Sequence, residues 1–356
     1  MIYKTIHVEA SRSYDIIIGR DILPQIAGSI RPLTGDCRLC ILTDSTVDAL
    51  YGDKLVDLLT DAGFAADKFV IPAGEASKCA DNLLDFLNFL AECKYTRSDA
   101  LIAFGGGVVG DLCGLSAALY LRGVKYIQIP TTLLAAVDSS VGGKTAIDIP
   151  AGKNLVGAFY QPVLVYCDTA LMDTLSPEIY RDGCAEVIKY GVILDKQLYE
   201  ILQRQPFERE YVVSRCVEIK RDVVQQDEFD NGLRGLLNFG HTFGHAVEKL
   251  SDFAVSHGAA VAKGMLLAAR MAPLCGLCNV ADELVELLHQ YGFDLSVDYS
   301  ADEIYEAILS DKKRRGGDIT VVLPRAIGNC TLVTLPVERL YELLKQILTE
   351  DYEYKA

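Results

Sequence analysis

The chain has only five histidines, and three of them, His241, His245 and His257, stand close together. His241 and His245 are four residues apart, so a helix would present both rings on one face. His257 precedes a second helical stretch. Glu186 lies in Gly183-Cys184-Ala185-Glu186-Val187-Ile188-Lys189, an otherwise apolar run, and a carboxylate buried there needs a partner that a cation can provide. Two imidazoles and one carboxylate around a divalent ion leave an open coordination position, as in catalytic zinc sites. Spacing alone suggests that both His241 and His245 are ligands, and also allows two ordinary polar residues on a helix. The glutamate of the HExxH metalloprotease motif is missing. His7 and His289 have no chemistry-bearing neighbours.

A second feature is rich in glycine. Phe104-Gly105-Gly106-Gly107-Val108-Val109-Gly110-Asp111 follows a strand-like run and opens a helical one. Glycines there let a backbone approach a pyrophosphate, and the N–H groups of a helix start favour an anion. The spacing is not GxGxxG, so a tight strand-to-helix turn explains it equally well. Asp44 ends an earlier strand-like run, where a carboxylate could bind a ribose hydroxyl or cap the following helix. Lys144, after Asp138-Ser139-Ser140-Val141-Gly142-Gly143, and Lys153, in Ala151-Gly152-Lys153-Asn154, lie in loop-like, Gly-rich stretches. Lys189, Lys220, Arg234, Lys312 and Lys313 are spread over the second half. Basic side chains in such surroundings suit oxyanion recognition, and each taken singly also fits a solvated surface.

The elements that must position these groups fall into two patterns. Residues 38–44, 68–74, 100–107, 125–131 and 163–168 are short apolar runs ending in polar residues or glycine, and 81–93 and 108–121 between them are helical. Strand–helix alternation predicts a largely parallel sheet with helices on its faces and ligands at the C-terminal strand ends. After about residue 170 helical periodicity dominates, over 178–204, 209–227, 239–250, 256–279, 281–291, 301–312 and 336–349, with strand-like pieces at 319–324 and 329–335. The expected division is an α/β domain over 1–170 and a helical domain over 171–356, with the active site in the cleft between them.

Composition narrows the class. Of 356 residues half are hydrophobic, enough for sizeable cores. A net charge of −15 disfavours nucleic-acid binding but permits a local basic cluster for an anionic ligand. No apolar run reaches the roughly 18 residues of a membrane span. The first residues alternate like a strand rather than a signal peptide, so a cytoplasmic protein is expected. Eleven cysteines, an odd number, fit reduced thiols. The pairs Cys37/Cys40 and Cys275/Cys278 read as buried small hydrophobes rather than a zinc or redox site.

Read together, the segments GEASK (74–78), GGGVVGDLCG (105–114), Arg122-Gly123-Val124, IPTTLLAAVDSSVGGKTAID (129–148), GKNLVGAFYQP (152–162), GCAEVIKYG (183–191), EIKRDVV (218–224), GLRGLLNFGHTFGHAVE (232–248), HGAAVAKGM (257–265) and DKKRRGG (311–317) resemble the 3-dehydroquinate synthases, a family of sugar-phosphate cyclases. The resemblance implies a Rossmann-like α/β domain followed by a mainly α-helical one. It implies conversion of 3-deoxy-D-arabino-heptulosonate 7-phosphate to 3-dehydroquinate, in the shikimate pathway, with NAD and Zn2+ or Co2+. NAD would meet Asp44, Glu75, Lys78, Gly106, Gly107, Val108, Asp111, Thr131, Thr132, Lys144, Lys153, Asn154, Thr174 and Leu175. The metal would be held by Glu186, His241 and His257, which makes His245 a proton-handling neighbour instead of a ligand. Asp138, Lys144, Lys189, Lys220, Arg234, Leu237, Asn238, His245 and one of Lys312 or Lys313 would surround the substrate. Arg122 would reach it from a second subunit, so a homodimer is implied.

Two positions depart from the family pattern. Ile179 stands where a glutamate that helps hold NAD is usual, and Ala259 stands where HGEAV is usual, removing a carboxylate beside a metal ligand. Three other readings compete: a polyol dehydrogenase of the glycerol-dehydrogenase type, another cyclase such as 2-deoxy-scyllo-inosose synthase, and a non-catalytic NAD-binding module. Lys220, Arg234 and Asn238 favour the dehydroquinate synthase pattern. Intact Glu186, His241, His257 and Lys144 argue against the silent module.

Overall fold

In a computed structural model, residues 1–204, 206–310 and 317–348 are described. Contacts divide the chain into two units: residues 1–176 with 208–229, and 177–207 with the chain from 230 onward. This differs from a single cut after residue 170. Helix α8 (Arg209–Gln226) belongs to the first unit, because its buried Val212, Val213, Cys216, Val217 and Ile219 face strands β1 (Ile2–Val8) and β2 (Tyr14–Gly19) and the turn 135–139.

The first unit is built on a seven-stranded sheet. Its order is β1, β2, β9 (Leu164–Asp168), β6 (Lys125–Pro130), β5 (Ala100–Gly105), β3 (Leu39–Asp44) and β4 (Ala66–Ile71). Only the β1–β2 pair is antiparallel. The central strands are mostly apolar, with Thr43 and Gln128 as buried polar exceptions, because both faces are covered. Alternate residues serve opposite cores. Leu39, Ile41, Ile102 and Ile127 pack with α1 (Ile26–Thr34) and α3 (Asp53–Asp61); Cys40, Leu42, Leu101 and Tyr126 pack with α4 (Ala80–Glu92) and α5 (Gly107–Leu119). A one-turn helix α2 (Ser45–Val47) follows β3.

One hairpin escapes the apolar patterns: β7 (Lys144–Ile149) pairs antiparallel with β8 (Gly152–Phe159). Lys144 and Lys153 therefore lie on strands, not loops. Strand pairing overrides the glycines there, and neither strand has a continuous buried run.

The second unit contains α6 (Pro177–Leu194), α7 (Lys196–Leu202), α9 (His241–Leu250), α10 (His257–Leu274), α11 (Ala281–Gln290), α12 (Ala301–Leu309) and α13 (Val337–Ile347), with the hairpin β10 (Asp318–Ala326) and β11 (Asn329–Pro336). The helical stretch expected over 178–204 is two helices, divided where Asp195 caps the second through the Leu198 N–H. Helix α10 is buried on nearly all sides, the pattern of a core helix. It ends at Leu274, so the second cysteine pair is not buried: Cys275 is half-buried and Cys278 exposed. Of the first pair, Cys40 is buried and Cys37 half-buried. Among the described residues no helix is long and apolar enough to cross a membrane.

Candidate functional site

In the second unit three helices bring Glu186, His241 and His257 together. Glu186 is fully buried on α6, and His241 and His257 are the first residues of α9 and α10. Close backbone contact sets this arrangement. Gly258 leaves so little room that a Cβ there would stand 2.4 Å from Asp182 Cα, on α6. Glu186 Oε1 lies 3.4 Å from His241 Nε2 and 3.2 Å from His257 Nε2. The Lys189 ammonium pairs with Glu186 Oε2.

Each imidazole has its other nitrogen engaged. His241 Nδ1 is 3.1 Å from the Phe239 carbonyl, and His257 Nδ1 is 3.5 Å from Glu248 Oε1. A ring that donates through Nδ1 turns an Nε2 lone pair toward Glu186. Burial, then Lys189 and the other two imidazoles, push His241 well below its usual range, so it is neutral. Burial also opposes charge on His257, but Glu186 and Glu248 outweigh it and raise that imidazole to about 10. A positive charge is therefore favoured among these donors. Three ligand atoms within 4.8 Å of one another, two nitrogens and an oxygen, fit a divalent ion. His245 is not in that group; it falls in a second one with Glu248 and His257.

Arg234 and Leu237 are also buried in this unit, and Asn238 is half-buried on the same turn. Lys312 and Lys313 lie outside the described residues.

In the first unit the strand order reverses between β3 and β5, and ligands of doubly wound sheets bind outside the C-terminal ends of strands at such a point. Asp44 ends β3. Its carboxylate caps α2, accepting from Thr46 N (2.9 Å) and Val47 N (3.0 Å). Gly106 and Gly107 follow β5, and Val108 lies in the first turn of α5, whose start has no side-chain cap. Gly106 has an ordinary φ of −77°, so space rather than conformation calls for glycine: a Cβ would stand 3.2 Å from Thr132 Cγ2. Beside it Thr131 has a buried hydroxyl without a hydrogen-bond partner.

Lys78, after the turn that holds Glu75, reaches Asp111 Oδ2 (2.5 Å) and Asn154 Oδ1 (2.6 Å), joining three segments. Burial raises the Asp111 carboxyl above its ordinary range, against the opposing charge of Lys78. Lys153 is half-buried on β8. Thr174 Oγ1 lies 2.9 Å from the Tyr51 hydroxyl, and Leu175 follows it. Asp138 is bound by Lys220, which also donates to its carbonyl at 2.7 Å. Lys144 is exposed at the start of β7. Arg122 is exposed, with φ of 65° after Leu121 at 49°.

Glu248 carried no expectation from the sequence. Its signal was position: it follows His241 by seven residues and His245 by three, on the same helical face.

The family models described as 3-dehydroquinate synthase N-terminal and C-terminal match residues 68–182 and 183–314. A 3-dehydroquinate synthase of Enterococcus faecalis is 42% identical over 346 residues, covering 94% of this chain and 97% of that protein. Among solved structures, the 2-epi-5-epi-valiolone synthase of Streptomyces hygroscopicus, with NAD+ and Zn2+ bound, is 27% identical at a TM-score of 0.87, covering 97% of this chain and 99% of that one. A 2-deoxy-scyllo-inosose synthase complexed with carbaglucose-6-phosphate, NAD+ and Co2+ shares the fold at 23% identity and a TM-score of 0.87, covering 96% of this chain and 100% of that one. With matches to both halves and near-complete coverage at this identity, the chain belongs to the 3-dehydroquinate synthase family.

Proposed function

We propose that this chain converts 3-deoxy-D-arabino-heptulosonate 7-phosphate to 3-dehydroquinate and phosphate, by transient oxidation, phosphate β-elimination, re-reduction, ring opening and intramolecular aldol closure. The observation that carries the metal requirement is Glu186 Oε1 facing the Nε2 atoms of His241 and His257. When bound, NAD supplies a hydride acceptor and donor, and Zn2+ or Co2+ supplies charge that lowers the pKa of substrate hydroxyls. The NAD+ and metal in the cyclase structures support this reading.

On this reading Glu186, His241 and His257 hold the metal. Lys189 pairs with Glu186, and burial keeps His241 in the neutral, ligating form. Asp44, Glu75, Lys78, Gly106, Gly107, Val108, Asp111, Thr131, Thr132, Lys144, Lys153, Asn154, Thr174 and Leu175 hold NAD. The first-turn N–H groups of α5 meet its pyrophosphate. Lys144, Lys220, Arg234 and Arg122 of a second copy bind phosphate and carboxylate, with Lys220 oriented by Asp138. Lys312 joins this substrate set. Asn238 binds substrate and His245 handles protons. The assembly is a homodimer in the cytoplasm.

The test is phosphate release from this substrate with NAD and Zn2+, while NADH absorbance is followed. Stoichiometric phosphate and 3-dehydroquinate without lasting NADH support the proposal. Lasting NADH would favour a dehydrogenase. An inert mixture would favour another sugar phosphate or a silent binding module.

A further inference from the structure

His257 is flanked by two carboxylates on opposite edges of its ring. Nε2 faces Glu186 Oε1 at 3.2 Å, and Nδ1 faces Glu248 Oε1 at 3.5 Å. The two acids come from different helices, Glu186 from α6 and Glu248 from α9, and both are buried, at 0% and 3% exposed. His257 itself is the first residue of α10, where only one backbone neighbour is helical. Its ring orientation therefore depends on what its two nitrogens meet. His241 solves the same problem with the Phe239 carbonyl, which holds its Nδ1 at 3.1 Å. His257 has a side chain in that place.

We propose that Glu248 is a positioning residue for the metal centre. It accepts the Nδ1–H of His257, which fixes the tautomer, turns the Nε2 lone pair toward the space shared with Glu186 and His241, and makes that nitrogen a stronger donor. It does not itself bind the ion. The sequence places it well for this task. His241, His245 and Glu248 recur at helical spacing along one face of α9, and that face meets α10, with the His241 and His257 rings 5.4 Å apart. Burying a carboxylate is costly without a charged or donating partner, and His257 is such a partner for Glu248.

The inference rests on the metal reading above, so the test begins with the wild-type protein. Zn2+ binding is measured by chelator competition, and the Co2+ form by its visible absorption, in wild type, Glu248→Gln, Glu248→Ala and Glu186→Ala. If wild type binds no ion, the metal reading fails and this proposal falls with it. If wild type binds one, Glu248→Ala is expected to weaken Zn2+ affinity by about 10–100-fold. Its Co2+ spectrum should shift while the ion stays bound. Glu248→Gln should fall between the two, because its amide oxygen still accepts from Nδ1. That isosteric variant decides the matter should Glu248→Ala not fold. Unchanged affinity and spectrum in Glu248→Gln and Glu248→Ala would overturn the proposal. So would complete loss of the ion in Glu248→Ala with retention in Glu186→Ala, because the ion would then sit with His245, Glu248 and His257 instead.

Discussion

Gly264 of α10 touches the Gly240 carbonyl at the start of α9 so closely that a Cβ on Gly264 would stand 1.9 Å from that oxygen. The clash would be with backbone, so it can be relieved only by moving a helix. Gly264→Ala is expected to destabilise the metal-free protein by about 1–3 kcal/mol, the usual cost of overpacking a core. Because it separates the helices that carry His241 and His257, it should also weaken metal binding. Thermal unfolding and chelator competition read the two effects. Wild-type values for both would mean that the close approach does not set the ligand geometry.

The ion pair of buried Lys78 and half-buried Asp111 supports a different test. Removing one partner from such a pair costs about 3–5 kcal/mol, mostly because the other charge is stranded. Lys78→Met should therefore unfold at a clearly lower temperature. The double variant Lys78→Met with Asp111→Asn strands no charge and should recover much of that loss. NAD titration separates structure from binding: both variants should bind NAD more weakly, including the one whose stability returns. Wild-type NAD affinity in the double variant would remove these two residues from the cofactor site.

Much of this architecture was legible in the pattern of the chain. The short, largely apolar runs of β3, β5, β6 and β9, bounded by polar residues or glycine and alternating with helical stretches, pointed to strands buried on both faces, and the 3.6-residue period of α4 was equally plain. The β7–β8 hairpin was not, because residues 144–159 mix glycine with polar side chains and cover no core. The placement of α8 was hidden for another reason. Its apolar stripe shows that it packs, but the surface it covers belongs to β1 and β2, some 200 residues earlier. Spacing could likewise show that His241 and His245 share a face, but not which of them meets Glu186. That choice depends on how α6 and α10 approach α9, which glycine contacts such as Gly258 with Asp182 determine.

The charge of His257 makes metal uptake depend on pH. In the metal-free fold Glu186 and Glu248, outweighing burial, raise this imidazole to about 10, above its ordinary value of 6.5. A raised histidine stabilises the fold fully below its unfolded value, and that contribution is lost as pH rises through the folded value. Between the two values the folded protein holds a proton that an incoming ion must displace. Loading at pH 8 should release close to one proton from His257 per ion, and apparent affinity should rise by about tenfold per pH unit across this window. Calorimetry of Zn2+ binding in buffers of different ionisation enthalpy measures that proton. No release at pH 8 would mean that His257 is already neutral there.

Ala259 is the departure from the family with the clearest structural meaning. Ser256 is the N-cap of α10, and Ala259 is the third residue of that helix. A glutamate at this position after a serine cap completes a capping box, reaching back to the cap's backbone N–H. Here the box is incomplete: Ser256 makes no side-chain bond to its own helix, and its hydroxyl donates instead to Asp182 at 2.6 Å. Ala259 also lines a cavity of about 420 Å³ with Ser256, Val247 and Lys263, so a longer side chain has room. Ala259→Glu should thus stabilise the metal-free protein by about 0.3–1 kcal/mol through the charge at the helix start. Because His257 is the first residue of the same turn, a firmer turn should also hold its ring more closely to Glu186 and tighten Zn2+ retention. Thermal unfolding and chelator competition on the one variant test both parts. A higher melting temperature with unchanged Zn2+ affinity would show that Ala259 affects the helix start without affecting the ligand. Weaker binding would show that a third carboxylate beside His257 competes with Glu248 and pulls the ring away.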